Sequence, residues 1–144
     1  MPQGYSWIAA SLWLFGSLSI LTLAAIMSVD TSRRVYLPGL SVPVPETCML
    51  HARFGLDCPG CGLTRSFIHF AHGRLFEGMS LNPAGIAIFL FVAAQVPAAG
   101  FRFALGRSSG LSKFWSRGNE IALIVLPTLT FVQWIVRLVI GHFW

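Results

Sequence analysis

Residues 7–29 contain no charged side chain, and this apolar stretch constrains the fold more than any other feature of the sequence. About 20 apolar residues are enough for a helix to cross the hydrocarbon core of a bilayer. Two more apolar stretches follow, at 84–103 and 121–140. Only 10% of the residues are charged, whereas a soluble domain carries about 25%. The sequence therefore predicts an all-α integral membrane protein with three transmembrane helices.

The apolar stretches divide the chain into three regions. Residues 1–29 are predicted to form a transmembrane anchor, because the stretch is too long for the apolar core of a signal peptide and no Lys or Arg precedes it. Residues 30–80 form a Pro-rich, Cys-containing interfacial segment. Residues 81–144 form a two-helix transmembrane hairpin. Its first helix starts at Asn82 and Pro83, since Asn caps helix N-termini and Pro fits the first helical position.

The basic residues predict the orientation of the chain. The formal net charge is +5, and four cations lie in the loop predicted at 102–117 without an acidic residue among them. By the positive-inside rule this loop is cytoplasmic, so the N-terminus is cytoplasmic, and the Cys-containing segment and the C-terminus are external. Five arginines within residues 30–80 argue in the opposite direction. No nucleic-acid partner is expected, because the cations do not belong to a folded basic face.

The interfacial segment contains a helical pattern at 63–72. Apolar and polar side chains fall on two different faces at spacings of three and four residues. The apolar face comprises Leu63, Phe67, Phe70 and Ala71, and the polar face comprises Arg65, His69 and His72. Gly73 follows and can end the helix in a left-handed cap. The pattern predicts a short amphipathic helix that lies at the membrane surface or packs against the transmembrane helices.

The three cysteines of the chain, Cys48, Cys58 and Cys61, all lie in the interfacial segment. In an external segment the favoured interpretation is a structural disulfide, with Cys48 stapling the loop to the start of the short helix. A bond between Cys58 and Cys61 would instead form a redox motif near a helix N-terminus, although no βαβ pattern surrounds it. Pro59 and Gly60 also allow a third interpretation, a turn without chemistry.

Zinc is a further possibility at the same residues. Structural zinc sites use four Cys or His ligands, and Cys-x2-Cys is a common half-site. His51 stands three residues after Cys48 and would complete a second half-site. His69 or His72 could supply the fourth ligand instead. No other cofactor is predicted.

The run from Cys58 to Arg65, Cys-Pro-Gly-Cys-Gly-Leu-Thr-Arg, is more specific than a CxxC spacing alone. With Cys48 before it and Asn82-Pro83 after it, the run resembles a small bacterial membrane family catalogued as domain of unknown function family 2752. The resemblance implies a multi-pass protein of the bacterial inner membrane. It implies no particular activity, because none is established for the family. The matching positions are Cys48, Cys58, Cys61, Thr64, Arg65, Asn82 and Pro83.

We expect a small accessory or scaffolding subunit of a larger membrane protein complex, rather than an enzyme. The chain shows no Ser/His/Asp, phosphate-loop or HExxH pattern, and its many Phe, Trp, Gly and Ala residues suit contacts between helices. The alternative is a membrane protein that exchanges disulfides or binds zinc through Cys58 and Cys61.

Several polar side chains are assigned minor roles. Thr64, Arg65 and His72 are expected to make local polar contacts around the cysteines. Arg137 is expected to reach the membrane interface, where Trp and Arg side chains contact lipids, or alternatively to pair with Glu77 or with an acidic residue of a partner. Gln95 and Gln133 are expected to join helices by hydrogen bonds.

Overall fold

The computed structural model describes residues 7–30, 34–37, 39, 43, 44, 48, 53, 58–105 and 110–140. Within this part the chain is mostly helical, with one pair of short strands. In chain order the elements are α1 (Trp7–Ile26), β1 (Ser28–Val29), β2 (Val35–Tyr36), α2 (Leu63–Ala71), α3 (Leu75–Leu81), α4 (Pro83–Leu105) and α5 (Gly110–Ile140).

Helix α4 lies at the centre of the fold and contacts α1, α2, α3 and α5. Trp13 of α1 meets Phe91 of α4 edge-on, with the ring centroids 5.9 Å apart. Phe67 and Phe70 of α2 pack against Phe89, at centroid distances of 5.4 and 5.6 Å. The pairs of Trp13 with Phe91 and of Phe67 with Phe89 are edge-to-face, an arrangement that stabilises packing beyond the area it buries. The aromatic core therefore fixes the short helix α2 onto α4.

Two helices are long and apolar enough to cross a membrane, over Pro83–Phe101 and Phe114–Ile140. None of the most apolar part of the second stretch is buried inside the protein, so its surface suits lipid or another protein better than water. The predicted third span is not supported. Helix α1 offers a shorter apolar stretch, Ala10–Ile26, which is about 26 Å long against a hydrocarbon core of about 30 Å.

A small sheet adds to the predicted all-α fold. Helix α1 ends at Ile26 rather than near Val29, because Ser28 and Val29 pair antiparallel with Val35 and Tyr36. The valines are β-branched and favour an extended backbone over a last helical turn. This pairing ties the end of α1 to the segment that leads toward the cysteines.

Most of the loop predicted at 102–117 is helical. Helix α4 continues to Leu105 and α5 already begins at Gly110, while residues 106–109 lie outside the described part. Hydropathy locates only the apolar part of a helix, and Lys and Arg are good helix formers in a polar environment. The first turns of α5 therefore extend beyond the stretch that the membrane pattern reveals.

Helix α2 ends close to the predicted residue, in a left-handed glycine turn. Gly73 has φ +75°, its N–H donates to the Phe70 carbonyl at 3.0 Å, and the Arg74 N–H donates to the His69 carbonyl at 2.8 Å. These two bonds define a Schellman motif, which confirms the cap predicted at Gly73. The turn directs α3 back across α2, and His69, which the sequence places on the polar face of α2, is buried.

Candidate metal centre

A tight turn brings the CxxC cysteines together. The Cys61 N–H donates to the Cys58 carbonyl at 2.9 Å, and the Leu63 N–H donates to the Gly60 carbonyl at 3.0 Å. Gly62 precedes α2 with φ +81°, a conformation that favours glycine. An added Cβ at Gly62 would also lie 3.0 Å from the Leu81 carbonyl oxygen. The turn from Cys58 to Gly62, called the cysteine corner below, therefore needs glycine at position 62. The positive φ and the close contact with the end of α3 both require it.

The three cysteine sulfurs form a compact triangle. The Cys61 Sγ lies 3.2 Å from the Cys58 Sγ and 3.2 Å from the Cys48 Sγ, and all three atoms lie within 4.8 Å of one another. No S–S bond joins any of the three, since a disulfide would require about 2.05 Å. The predicted disulfide staple is therefore not present, although the predicted proximity of Cys48 to the CxxC pair is observed.

The triangle fits one face of a thiolate metal site. Zinc binds thiolates at about 2.3 Å in a tetrahedral arrangement, which places neighbouring sulfurs about 3.8 Å apart. Two of the sulfur distances are 3.2 Å and the third is at most 4.8 Å, so small side-chain rotations would bring the three atoms around one ion. Among the described residues, this is also the group of Cys, His, Asp or Glu side chains that could hold a metal. A zinc ion is thus possible here, with three thiolates as ligands.

The environment of Cys61 keeps its thiol protonated when no metal is bound. Burial, followed by hydrogen bonds with Cys58 and Cys48, raises the pKa of Cys61 to about 12. The backbone N–H of Cys58 lies 3.2 Å from the Cys61 Sγ and acts in the opposite direction. A bound cation would reverse this balance, because metal ligation deprotonates a thiol outright.

The histidines considered as a fourth ligand have different positions. His51 lies outside the described residues. His69 is directed at α3, with its Nδ1 3.0 Å from the Glu77 Oε2, although the two atoms are not aligned for a hydrogen bond. His72 is exposed and places its Nδ1 2.7 Å from the Ile68 carbonyl oxygen. Neither His69 nor His72 belongs to the cysteine cluster.

The remaining motif residues surround the corner. Thr64 is exposed and Arg65 is half-buried in the first turn of α2. Pro83 begins α4. Asn82 is fully buried, and its side chain donates to the Cys61 carbonyl at 3.3 Å. The asparagine therefore contacts the cysteine turn, in addition to preceding the helix.

Two polar residues of α5 take part in the same junction. Gln133 donates to the Asn82 Oδ1 at 3.1 Å and accepts from the Ala84 N–H at 2.6 Å. Arg137 donates to the Leu81 carbonyl at 2.9 Å, so its guanidinium binds the C-terminal end of α3. Gln133 joins two helices as predicted, whereas Arg137 binds a backbone carbonyl that the sequence did not predict as its partner. A cation inside an apolar stretch is the signal that could have indicated a buried polar partner.

Residues 48–96 match a family described as protein of unknown function (DUF2752). The match confirms the resemblance predicted from the sequence. It includes Cys48, the cysteine turn, α2, α3 and the first part of α4, and it ends before α5. No curated protein and no solved structure matches the chain.

Proposed function

Taking residues 48–96 as the segment shared with that family, we propose that this is an integral membrane protein that binds zinc at a three-cysteine corner. Cys48, Cys58 and Cys61 would supply thiolates, and the ion would hold Cys48 against the turn that precedes α2. The observation that carries the proposal is the triangle of three sulfurs within 4.8 Å. The ion supplies a fixed positive charge that binds deprotonated thiols. Because it would link Cys48 to the start of α2, the ion would have a structural role.

Zinc binding accounts for the site better than redox catalysis does. Redox-active CxxC cysteines have a lowered pKa, which makes the thiolate available at neutral pH. Here the pKa of Cys61, the second cysteine of the motif, is raised to about 12, so a metal-free Cys61 would be a poor nucleophile. The sulfurs also form an angle of at most about 100° at Cys61. In thiol–disulfide exchange, a thiolate attacks one sulfur of a disulfide along the axis of the S–S bond. The three sulfurs here are not in line, so they do not match that geometry.

Metal analysis of the full chain tests the proposal. The protein would be extracted in mild detergent, dialysed without chelator and analysed for zinc by mass spectrometry. We expect about one zinc per chain, and Co²⁺ exchanged into the site should give the intense thiolate-to-metal absorption of a cysteine-rich site. Cys61→Ser should abolish both signals, because Cys61 lies between the other two sulfurs.

His69→Gln is the matched control for that measurement. It removes an imidazole close in sequence to the motif but outside the cysteine cluster, so zinc content should stay unchanged. A wild-type protein that retains no zinc and gives no Co²⁺ absorption would disprove the proposal. Equal metal content in wild type and Cys61→Ser would do the same.

A second role, as an accessory subunit of a larger membrane complex, is favoured by the surface of α5. Its large apolar side chains are exposed along most of the helix, and this surface has no cover within the described part of the chain. A helix of that kind contacts lipid or another transmembrane helix. Native mass analysis after mild extraction should show a species heavier than one chain with its detergent. A strictly monomeric species that purifies with nothing else would contradict this role.

The proposed orientation rests on the positive-inside rule, applied to the cations of residues 102–117. We propose that the chain lies in a bacterial inner membrane, with the 102–117 connection cytoplasmic and with the cysteine corner and C-terminus external. Helix α1 would complete a third span by packing along α4, where Trp13 meets Phe91. Interfacial Trp and Arg side chains would contact lipid headgroups. After zinc removal by a chelator, a membrane-impermeant thiol reagent should label the cysteines in intact cells from outside.

A further inference from the structure

The cysteine corner rests directly on the junction between α3 and α4. Asn82 has no exposed surface, and its Nδ2 donates to the Cys61 carbonyl at 3.3 Å. Gly62, the next residue after Cys61, approaches the Leu81 backbone so closely that a Cβ would lie 3.0 Å from its carbonyl oxygen. The backbone of one cysteine of the cluster is thereby held by the residue that begins the transmembrane hairpin.

Helix α5 holds the same junction from the other side. Gln133 uses both ends of its carboxamide, donating to the Asn82 Oδ1 at 3.1 Å and accepting from the Ala84 N–H at 2.6 Å. One turn later, Arg137 donates to the Leu81 carbonyl at 2.9 Å. These bonds satisfy backbone groups at a helix end and a helix start, which otherwise lack partners.

Gln133 fixes which way the Asn82 side chain faces. An asparagine carboxamide has an acceptor oxygen on one side and a donor nitrogen on the other. Because the Gln133 Nε2 is a donor, it requires the Asn82 oxygen on its own side and so leaves the nitrogen directed at Cys61. If the amide were reversed, donor would face donor at Gln133 and acceptor would face acceptor at Cys61.

From this chain of bonds we infer that Gln133 is a positioning residue for the metal centre, acting through Asn82 on the backbone of Cys61. The inference rests on the proposed function for its statement about metal. Docking of α5 and the geometry of the cysteine triangle are one coupled equilibrium, so a change at either end must alter the other. The α5 side of this link lies outside residues 48–96, the segment that matches the family.

The test uses the full chain in detergent and the variant Gln133→Met, which keeps the length of the side chain and removes both hydrogen bonds. Two quantities are measured: the rate at which N-ethylmaleimide alkylates Cys61 in the metal-free protein, and the affinity and absorption spectrum of bound Co²⁺. Only the bond to Asn82 links Gln133 to Cys61, and loss of one hydrogen bond typically corresponds to about three- to tenfold in an equilibrium. We expect Cys61 to be alkylated faster by that factor, Co²⁺ to bind correspondingly more weakly, and the Co²⁺ absorption bands to shift.

Thr130→Val is the matched control. Thr130 lies three residues before Gln133, and its hydroxyl donates to the Leu126 carbonyl within α5 at 2.8 Å. Removing that hydroxyl should leave both the alkylation rate and the Co²⁺ spectrum at wild-type values. Asn82→Leu should reproduce the Gln133→Met phenotype, and the double variant should add little to either, since both substitutions interrupt the same connection.

Unchanged alkylation of Cys61 in Gln133→Met would overturn the inference, as would an equal effect of Thr130→Val. Absence of any Co²⁺ binding in the wild type would instead remove the proposed function, and the alkylation rates would still decide the coupling. If a variant misfolds, a measurement on the wild-type protein still tests the inference. Alkylating the wild-type cysteines should speed hydrogen exchange of α5 around Gln133 several-fold, and unchanged exchange there would also contradict the inference.

Discussion

Gln95 donates its side-chain N–H to the Oδ1 of Asn119 at 2.9 Å, and this bond joins α4 to α5 between two fully buried carboxamides. Trp115 donates to the Oε1 of the same glutamine at 3.1 Å. The Nδ2 of Asn119 is buried without a partner among the described residues. A polar pair inside apolar helices holds them in one register, because any displacement exposes unpaired amide groups to a low-dielectric environment.

We expect Gln95→Leu to destabilise the protein by about 1–2 kcal/mol, since it leaves the Asn119 carbonyl and the Trp115 N–H unpaired. Thermal unfolding in detergent, followed by circular dichroism, measures the loss. The double variant Gln95→Leu/Asn119→Leu should be less destabilised than the sum of the two single variants, because it removes both partners together. Strict additivity of the two effects would show that the bond contributes nothing.

Gly78→Ala should weaken the packing of α3 on α2. A Cβ at Gly78 would overlap the ring of Phe70, and overpacking of a well-filled contact typically costs about 1–3 kcal/mol. Gly118→Ala is the control, because no atom lies within 4 Å of the added Cβ and alanine favours the helix. Thermal unfolding should show a lowered midpoint for the first variant only. Phe70→Leu, introduced beside Gly78→Ala, should recover part of the loss.

Metal affinity should rise with pH. Each thiol must lose its proton to bind zinc, and the pKa of Cys61 is about 12, so this proton is still displaced by the metal throughout the range from pH 6 to 9. Affinity should therefore fall at least about tenfold for each unit of decreasing pH. Competition with a chromophoric chelator at several pH values measures the slope. A flat profile would show that Cys61 is not a ligand.

Acidification should destabilise the α2–α3 pair through His69. Burial lowers the pKa of His69 below its usual value of 6.5, the nearby Arg74 charge lowers it further, and Glu77 acts in the opposite direction. The unfolded chain then binds a proton more readily than the folded one. Stability is accordingly complete above about pH 6.5 and falls as the pH decreases through that value.

Unfolding midpoints measured between pH 5 and pH 8 check this dependence. His69→Phe should flatten the curve. A curve for His69→Phe with the same slope as wild type would assign the pH dependence to another group.

The corner motif itself could be interpreted from the residues alone. Pro59 and Gly60 predict a turn, Gly73 predicts a left-handed helix end, and the spacing of Phe67 and Phe70 predicts the buried face of α2. Each of these depends on interactions between residues close in the chain, so local sequence determines it. The sequence also predicts that Cys48 can lie close to Cys58 and Cys61, because the connection between them is short.

The sequence alone determined the long apolar helices and the glycine and proline turns, because each follows from local composition and periodicity. The family resemblance also comes from the sequence alone, through the motif residues between Cys48 and Pro83. Only the tertiary structure decided that the cysteines lie in a triangle without a disulfide, that His69 is covered by α3, and that Asn82, Gln133 and Arg137 meet beside Cys61. The bond from Gln133 to Asn82 joins residues that are 51 positions apart in the chain, and the bond from Arg137 to Leu81 joins residues that are 56 positions apart. Hydropathy indicates that a polar side chain in an apolar helix needs a partner, but the partner is selected by how the helices pack.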